Sequence, residues 1–140
     1  MQALPDSHAY RVEEIVHWDY QRDWPDGVLS PGVVVFYFVR RREDLSQQEF
    51  ARRYRDGHAP LARVHHPRIW RYVQNYVVER SPAAPEWHAI SSLHFRSEED
   101  FRTRFYRDEK SPAIIAEDIT RFADLRTGLA LVTRERILAS

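Results

Sequence analysis

The chain contains no cysteine among its 140 residues and only four glycines. The absence of thiols excludes disulfide bonds, thiolate catalysis and zinc–sulfur sites. The scarce glycines form no phosphate-binding loop, so no nucleotide or dinucleotide fingerprint is present. No apolar run reaches the about 20 residues that a membrane-spanning helix needs, and no membrane partner is expected.

The chain also lacks an excess of charge of either sign. Its 21 basic residues balance its 21 acidic residues, and the formal net charge is +0. This balance argues against a general nucleic-acid or anionic-membrane binder. The first residues, Met1-Gln-Ala-Leu-Pro-Asp6, have no basic start and no apolar core, so a signal peptide is not expected and a cytoplasmic location is predicted.

Hydrophobic residues make up 43% of the sequence and aromatic residues 13%, which favours one folded domain with a single core. Local patterns predict strands over 10–20, 33–41, 69–80, 87–95 and 128–137, and helices over 46–57, over 61–66, after 97 and after 111. From the second strand onward the order is strand, helix, strand, strand, helix, strand. This order predicts a ferredoxin-like α+β fold, with one antiparallel sheet and its helices on one face.

The predicted strand over 33–41 is apolar on both of its faces up to Val39. Helices on one side of the sheet would leave the other face bare. A bare apolar face of this size needs a cover, and the simplest cover is a second copy of the chain, sheet against sheet. The sequence therefore predicts a homodimer.

His58 is the first candidate for chemistry. Spacings of four residues place Phe50, Tyr54 and His58 on one face of the predicted helix, which should pack against the sheet. Gly57 and Pro60 flank the histidine, so the regular helix should stop or bend there, with 61–66 as a short continuation. An inward histidine at a disrupted helix end has the location and the near-neutral pKa that acid–base catalysis needs. The alternative is a core histidine bonded to a backbone carbonyl.

Two further candidates lie on the predicted strand over 69–80. The phenol of Tyr72 could donate a hydrogen bond to a substrate carbonyl or hold His58, and the alternative is a core tyrosine with its hydroxyl at the rim. Asn75 has the opposite parity, so both side chains cannot reach one pocket without a bulge.

The other histidines give weaker signals. His94 could face the pocket beside His58. His88 shares its strand and its parity, but six residues separate them by roughly 20 Å, too far to share a metal ion. His65 and His66 precede a proline and are predicted in an exposed turn. No metal site is predicted.

Aromatic residues supply the predicted pocket wall. Tyr37 and Phe36 lie on opposite faces of their strand, so one of them should line the ligand side. With Tyr54, Phe101 and Phe105 they would suit a flat, hydrophobic ligand. The alternative for most of these rings is plain core packing.

Four segments together resemble the EthD family. They are Val39-Arg-Arg-Arg-Glu-Asp-Leu-Ser-Gln-Gln-Glu-Phe50, Gly57-His-Ala-Pro-Leu61, Arg71-Tyr-Val-Gln-Asn75 and Glu117-Asp-Ile-Thr-Arg-Phe-Ala-Asp-Leu125. The resemblance covers roughly residues 33–138 and implies the dimeric α+β barrel superfamily, with a pocket between the sheet and the helices of each subunit. Within it, His58 matches the family's histidine.

The resemblance divides the chain into an N-terminal extension, 1–31, and an EthD-like domain, 32–140. The extension lies before the usual start of the family. Its strand should either add to a sheet edge or cross to the partner subunit.

The resemblance implies several functions, because superfamily relatives include cyclases, dehydratases, decarboxylases, cofactor-free oxygenases and haem-handling proteins. The leading hypothesis is a cofactor-independent lyase or cyclase that acts on a hydrophobic, polyketide-like carbonyl compound. His58 would be the general acid or base, and Tyr72 or His94 would donate to the developing oxyanion. The alternatives are haem binding through His58 or His94, a cofactor-free oxygenase, and a non-catalytic ligand-binding module.

Overall fold

A computed structural model describes residues 1–140 as a five-stranded antiparallel sheet with helices packed on one face. The strands are β1 Tyr10–Trp18, β2 Val33–Val39, β3 Ile69–Arg80, β4 Ala89–Phe95 and β5 Leu129–Thr133. The helices are α1 Gln47–Arg52, a π-helix Arg53–His58, α2 Ala59–His65, α3 Glu98–Thr103 and α4 Ser111–Ile119. No helix combines the length and the apolar character needed to cross a bilayer. The predicted ferredoxin-like α+β fold is confirmed.

The strand order is β1-β3-β4-β2-β5, and every neighbouring pair is antiparallel. β1 lies at one edge of the sheet, where Tyr10 pairs with Arg80 of β3. The extension therefore adds a strand to the edge of its own sheet. The remaining four strands have the ferredoxin-like order that the sequence predicted.

The core lies between the sheet and its helices, on the face that we call the helix side. Val33 and Val35 of β2 point to this side and pack with Tyr72 and Phe95. A second cluster forms around Phe50 of α1, which is fully buried. Alternate residues of each strand point to the opposite face, which we call the far face.

The helical segment before β3 differs from the prediction in one respect. The regular helix does not stop at Gly57; it widens into the π-helix, in which the N–H of Ala59 donates to the carbonyl of Tyr54, five residues back. Pro60 then stands in the first turn of α2, the part of a helix where proline is best tolerated. The π-helix accommodates the irregularity at Gly57 and Pro60 and keeps Tyr54 and His58 on one buried face.

The far face is covered only in part. Residues 19–32 cross one end of it, where Tyr20 and Trp24 pack on Trp70, with ring centroids 4.3 and 5.5 Å from the Trp70 ring. Elsewhere the face stays open, and Leu129 and Leu131 of β5 are each 45% exposed. The structure contains one chain, so the predicted dimer stays a prediction.

Candidate functional site

A cavity of about 390 Å³ lies on the helix side of the sheet. β2, β3, β4 and β5 form its floor, and the π-helix, α2 and α4 form its cover. Most of the lining side chains are aliphatic or aromatic. The lining includes Tyr37, Tyr54, His58, His66, Tyr72, Leu93, Phe105, Tyr106, Ile115, Ile119, Phe122 and Leu125.

His58 lines this cavity and is paired with a carboxylate. Its Nδ1 lies 2.8 Å from Oδ2 of Asp118, and each of the two residues is only 7% exposed. Because a carboxylate accepts, Nδ1 carries the hydrogen of the neutral ring and the lone pair lies on Nε2. Nε2 makes no hydrogen bond to the protein and is the ring nitrogen left for a ligand.

The electrostatics of His58 favour the neutral imidazole. Burial lowers its pKa below the ordinary 6.5, and the hydrogen bond and charge of Asp118 partly oppose that effect. A neutral ring held by a carboxylate can accept a proton at Nε2, and the carboxylate stabilises the imidazolium that forms.

Asp118 is the site residue that the sequence analysis missed. It lies on α4 three residues after Ile115 and four before Phe122, and all three are buried. These spacings put the carboxylate on the inward stripe of the helix. An acidic residue on an otherwise apolar helix face is therefore the sequence feature from which Asp118 could have been predicted. Arg121 also donates from Nη1 to Oδ1 of Asp118, at 3.3 Å.

Tyr72 lines the cavity as predicted, and its hydroxyl belongs to a hydrogen-bond network around Gln74. The amide of Gln74 donates to the Tyr72 hydroxyl at 2.8 Å. Its oxygen accepts from the Tyr76 hydroxyl at 2.5 Å and lies 2.8 Å from Nε2 of His17. The Tyr72 hydroxyl also interacts with that of Tyr54, so its own hydrogen can be donated either to Tyr54 or to a ligand. Burial raises the pKa of Tyr72 well above its ordinary value, so the phenol stays protonated.

Three other predicted binding residues also line the cavity: Tyr37, Tyr54 and Phe105. The Tyr54 hydroxyl is bound to that of Ser91 at 2.8 Å. The Tyr37 hydroxyl has no hydrogen-bond partner in the protein, and burial raises its pKa to about 12. Tyr37 is therefore a second neutral donor available to a ligand.

Three predicted site residues do not reach the cavity. His94 lies on the far face, because it alternates with Leu93, which faces the helices; it packs against Trp70 and lies 2.8 Å from the carbonyl of Pro31. Asn75 has the parity opposite to Tyr72 and also points to the far face. Phe101 packs in the core beside Phe95, outside the cavity wall. The alternation of side chains along the strand therefore contradicts the predicted placement of His94 beside His58.

The predicted exposed turn at His65 and His66 is also wrong. Both rings are buried, with exposures of 6% and 4%. His65 lies 2.8 Å from the hydroxyl of Ser111, and His66 lines the cavity. The loop after α3 folds over these residues, and its position depends on contacts far apart in the sequence.

The fold and the cavity together define a class of protein: a ferredoxin-like α+β domain with an apolar, histidine-containing cavity under its helices. The EthD domain family matches residues 42–126, more than half of the chain. The chain belongs to the EthD domain family, consistent with the dimeric α+β barrel superfamily that the sequence suggested. This match is narrower than the predicted 33–138 and leaves out β1, β2 and β5. No curated protein matches the chain.

Proposed function

We propose that the protein is a cofactor-independent enzyme that moves a proton on a hydrophobic, carbonyl-bearing small molecule. One observation carries the proposal: the His58–Asp118 pair is buried and leaves Nε2 of His58 for the cavity. A buried carboxylate beside a histidine, at the wall of an apolar cavity, is an arrangement suited to general-base catalysis.

The proposed step is proton abstraction from the carbon next to a carbonyl group. Nε2 of His58 takes the proton, and the electron pair of the broken C–H bond moves into a new carbon–carbon double bond. The carbonyl π electrons move to oxygen, and the resulting enolate oxygen accepts hydrogen bonds from the phenols of Tyr72 and Tyr37. Asp118 stabilises the imidazolium until the proton returns to carbon or to oxygen.

This enolate is an intermediate common to the reactions that the sequence suggested. Attack of the enolate carbon on a second carbonyl gives cyclisation, and loss of hydroxide from the neighbouring position gives dehydration. Decarboxylation would produce the same enolate by cleavage of a carbon–carbon bond, but it needs a carboxylate substrate, for which the cavity wall offers no cation. A polyketide-like substrate presents several carbonyl groups on one apolar chain, which suits a cavity of this size and lining.

The test uses 2-tetralone, a flat bicyclic ketone, as a probe. In deuterated water the wild-type protein should accelerate exchange of the hydrogens beside the carbonyl, as measured by proton NMR. His58→Ala should slow the protein-catalysed rate by about 100-fold, the low end of the effect of a general base. His94→Gln, on the far face, is the matched control and should exchange at the wild-type rate.

Two results would contradict the proposal. The first is a folded His58→Ala protein that exchanges 2-tetralone as fast as the wild type. The second is a wild-type protein that binds the ketone without accelerating exchange, which would indicate a non-catalytic ligand-binding module. Oxygen consumption with a phenolic substrate would instead favour a cofactor-free oxygenase.

Haem binding is the second candidate, and the same pair of residues favours it. In ligating histidines the N–H of the other ring nitrogen commonly donates to a carboxylate, as the Nδ1–H of His58 does to Asp118. Nε2 of His58 would hold the iron, and haem would supply redox chemistry, but no lysine or arginine lines the cavity to pair with the two haem propionates. His94, the other ligand suggested by the sequence, lies on the far face. Haemin added to the protein should then give a Soret shift that is lost in His58→Ala, and an unshifted spectrum would refute this candidate.

We also propose that the protein forms a homodimer through the far face. Phe36, Phe38 and Ile90 lie there half-buried, next to the exposed Leu129 and Leu131. Burial of these side chains against a second sheet would remove apolar surface from water. The family is consistent with a superfamily of dimeric barrels, which supports the same arrangement.

A further inference from the structure

His66 is a second imidazole in the cavity wall, and the proposed proton transfer does not use it. Its Nδ1 lies 2.7 Å from the carbonyl oxygen of Phe105. A carbonyl oxygen can only accept, so Nδ1 carries a hydrogen and the neutral ring has its lone pair on Nε2. The rings of Phe105 and Tyr106 pack against the imidazole, with centroids 4.4 and 5.0 Å away, and hold it in this orientation.

Nε2 of His66 has no partner within the protein. The buried side-chain polar atoms without a partner are Nε of Arg41, Oε1 of Gln47 and Oγ1 of Thr127. Nε2 of His66 is not among these sealed atoms, and His66 lines the cavity. Burial lowers the pKa of His66, only partly opposed by its bond to Phe105. The ring is therefore a fixed, neutral hydrogen-bond acceptor.

The rest of the lining restricts the charge of the ligand. No lysine or arginine lines the cavity, and the one acidic lining residue, Asp124, is held by Arg126 at 2.9 Å. An anionic ligand would lose water without gaining a cationic partner, which is costly in an apolar site. The free polar groups are the acceptors His58 and His66 and the phenol donors, and all of them suit an uncharged molecule.

We propose that the cavity binds an uncharged aromatic molecule through a hydroxyl group that donates its hydrogen bond to Nε2 of His66. The substrate class is then a phenol or enol that also carries the carbonyl on which His58 acts. This inference rests on the proposed function only in placing the ligand in the same cavity. The binding of the hydroxyl group needs no proton transfer by His58.

The test compares three probes of similar shape: 2-naphthol, naphthalene and 2-naphthoate. Their dissociation constants for the whole chain are measured by fluorescence at neutral pH. The wild type should bind 2-naphthol about 3- to 10-fold more tightly than naphthalene, as expected for one neutral hydrogen bond. It should bind 2-naphthoate less tightly than naphthalene. Equal affinity for naphthol and naphthalene, or preference for the carboxylate, would overturn the proposal.

Two variants of His66 test the roles of its two ring nitrogens separately. His66→Asn places an amide N–H near the position of Nδ1, so the bond to the Phe105 carbonyl can persist while the acceptor at Nε2 is lost. His66→Gln places an amide oxygen near the position of Nε2. The preference for naphthol should disappear in the asparagine variant and return at least in part in the glutamine variant. A preference that survives in His66→Asn would overturn the proposal.

A measurement on the wild type does not depend on the folding of any variant. Addition of 2-naphthol should shift the ¹⁵N NMR signal of His66 Nε2 more than that of Nδ1. An unshifted Nε2 signal at saturating naphthol would refute the assignment. In His94→Gln, on the far face, the ratio of naphthol to naphthalene affinity should stay within about twofold of wild type, since the hydrogen bond belongs to His66 and His94 does not reach the cavity.

The proposed function and this inference can fail separately. A wild-type protein that does not exchange 2-tetralone but shows the His66-dependent preference would refute the function and support the inference. Exchange of 2-tetralone that depends on His58, together with equal affinity for naphthol and naphthalene, would support the proposed function and refute the inference about His66.

Discussion

Asp118 decides what His58 can do. The carboxylate fixes the Nδ1 tautomer and leaves Nε2 for the cavity, and in the proposed reaction it would stabilise the protonated ring. Without this carboxylate, the imidazole would remain in the cavity wall, but the ring could rotate or adopt the other tautomer. The chemistry of the site therefore depends on two residues 60 positions apart in the sequence.

Asp118→Asn should lower the 2-tetralone exchange rate by about 10- to 100-fold while His58 remains in place. The amide has nearly the shape of the carboxylate but no charge, and it can present an N–H to Nδ1 in place of an acceptor. The measurement is the same proton NMR exchange. Asp124→Asn is the control at the rim of the cavity, away from Nδ1 of His58. An Asp118→Asn protein with the wild-type rate would show that the pair has no part in proton transfer.

Stability should fall on mild acidification because His58 and His66 both have lowered pKa values in the folded protein. In the unfolded chain each ring takes up a proton near the ordinary value of 6.5. The unfolded state then binds more protons than the folded state, so the contribution to stability is full above pH 6.5 and is lost as the pH falls through the folded pKa. Between about pH 7.5 and about pH 5.5 the free energy of unfolding should drop by about 1 to 2 kcal/mol.

Urea unfolding at the two pH values measures this drop. His88 is a third ring whose pKa is lowered by burial, so His58→Gln removes one of three contributing rings and should make the drop smaller. His8→Gln, in the exposed N-terminal segment, is the matched control. A free energy of unfolding that rises on acidification would contradict the direction of these pKa shifts.

At the scale of elements, Gln74 joins β1, β3 and the π-helix. Its amide donates to the Tyr72 hydroxyl and to the Tyr54 carbonyl, and its oxygen accepts from Tyr76 and faces His17. The side chain is fully buried. All of its hydrogen-bonding capacity is used, so the network fixes the floor of the cavity relative to the helix that carries His58.

Gln74→Leu should destabilise the protein by at least about 2 kcal/mol, because the tyrosine and histidine partners are left buried without their bonds. The matched control is Asn75→Leu, one residue along on the far face, where the side chain makes no hydrogen bond in the protein. Its effect should stay within about 0.5 kcal/mol. Urea midpoints compare the two variants, and equal destabilisation by both would contradict the role of the network.

At the scale of the whole molecule, the open part of the far face sets the expected oligomeric state. Phe36→Asp places a charge in the centre of the proposed sheet-to-sheet contact and should convert a dimer to a monomer in light scattering after size-exclusion chromatography. Val64→Asp, at an exposed position of α2, should leave the mass unchanged. A wild type that is monomeric at micromolar concentration would refute the dimer directly.

Several features followed from the sequence alone because each depends on local pattern. Strand periodicity placed β3 at its observed bounds, and spacings of four put Phe50, Tyr54 and His58 on one buried face. The element order then left the ferredoxin-like arrangement as the expected topology. Apolar periodicity and helix-breaking residues act over a few positions, so no knowledge of the tertiary fold was needed.

Other features were decided only by the tertiary structure. The side of the sheet on which the helices pack left His94 on the far face, and packing of the loop after α3 buried His66 against Phe105. The partner of His58 comes from a helix 60 residues away, and no local pattern encodes which side chains meet across that distance. The sequence determined which residues point inward from each element, and the packing of the elements determined which of them meet in the cavity.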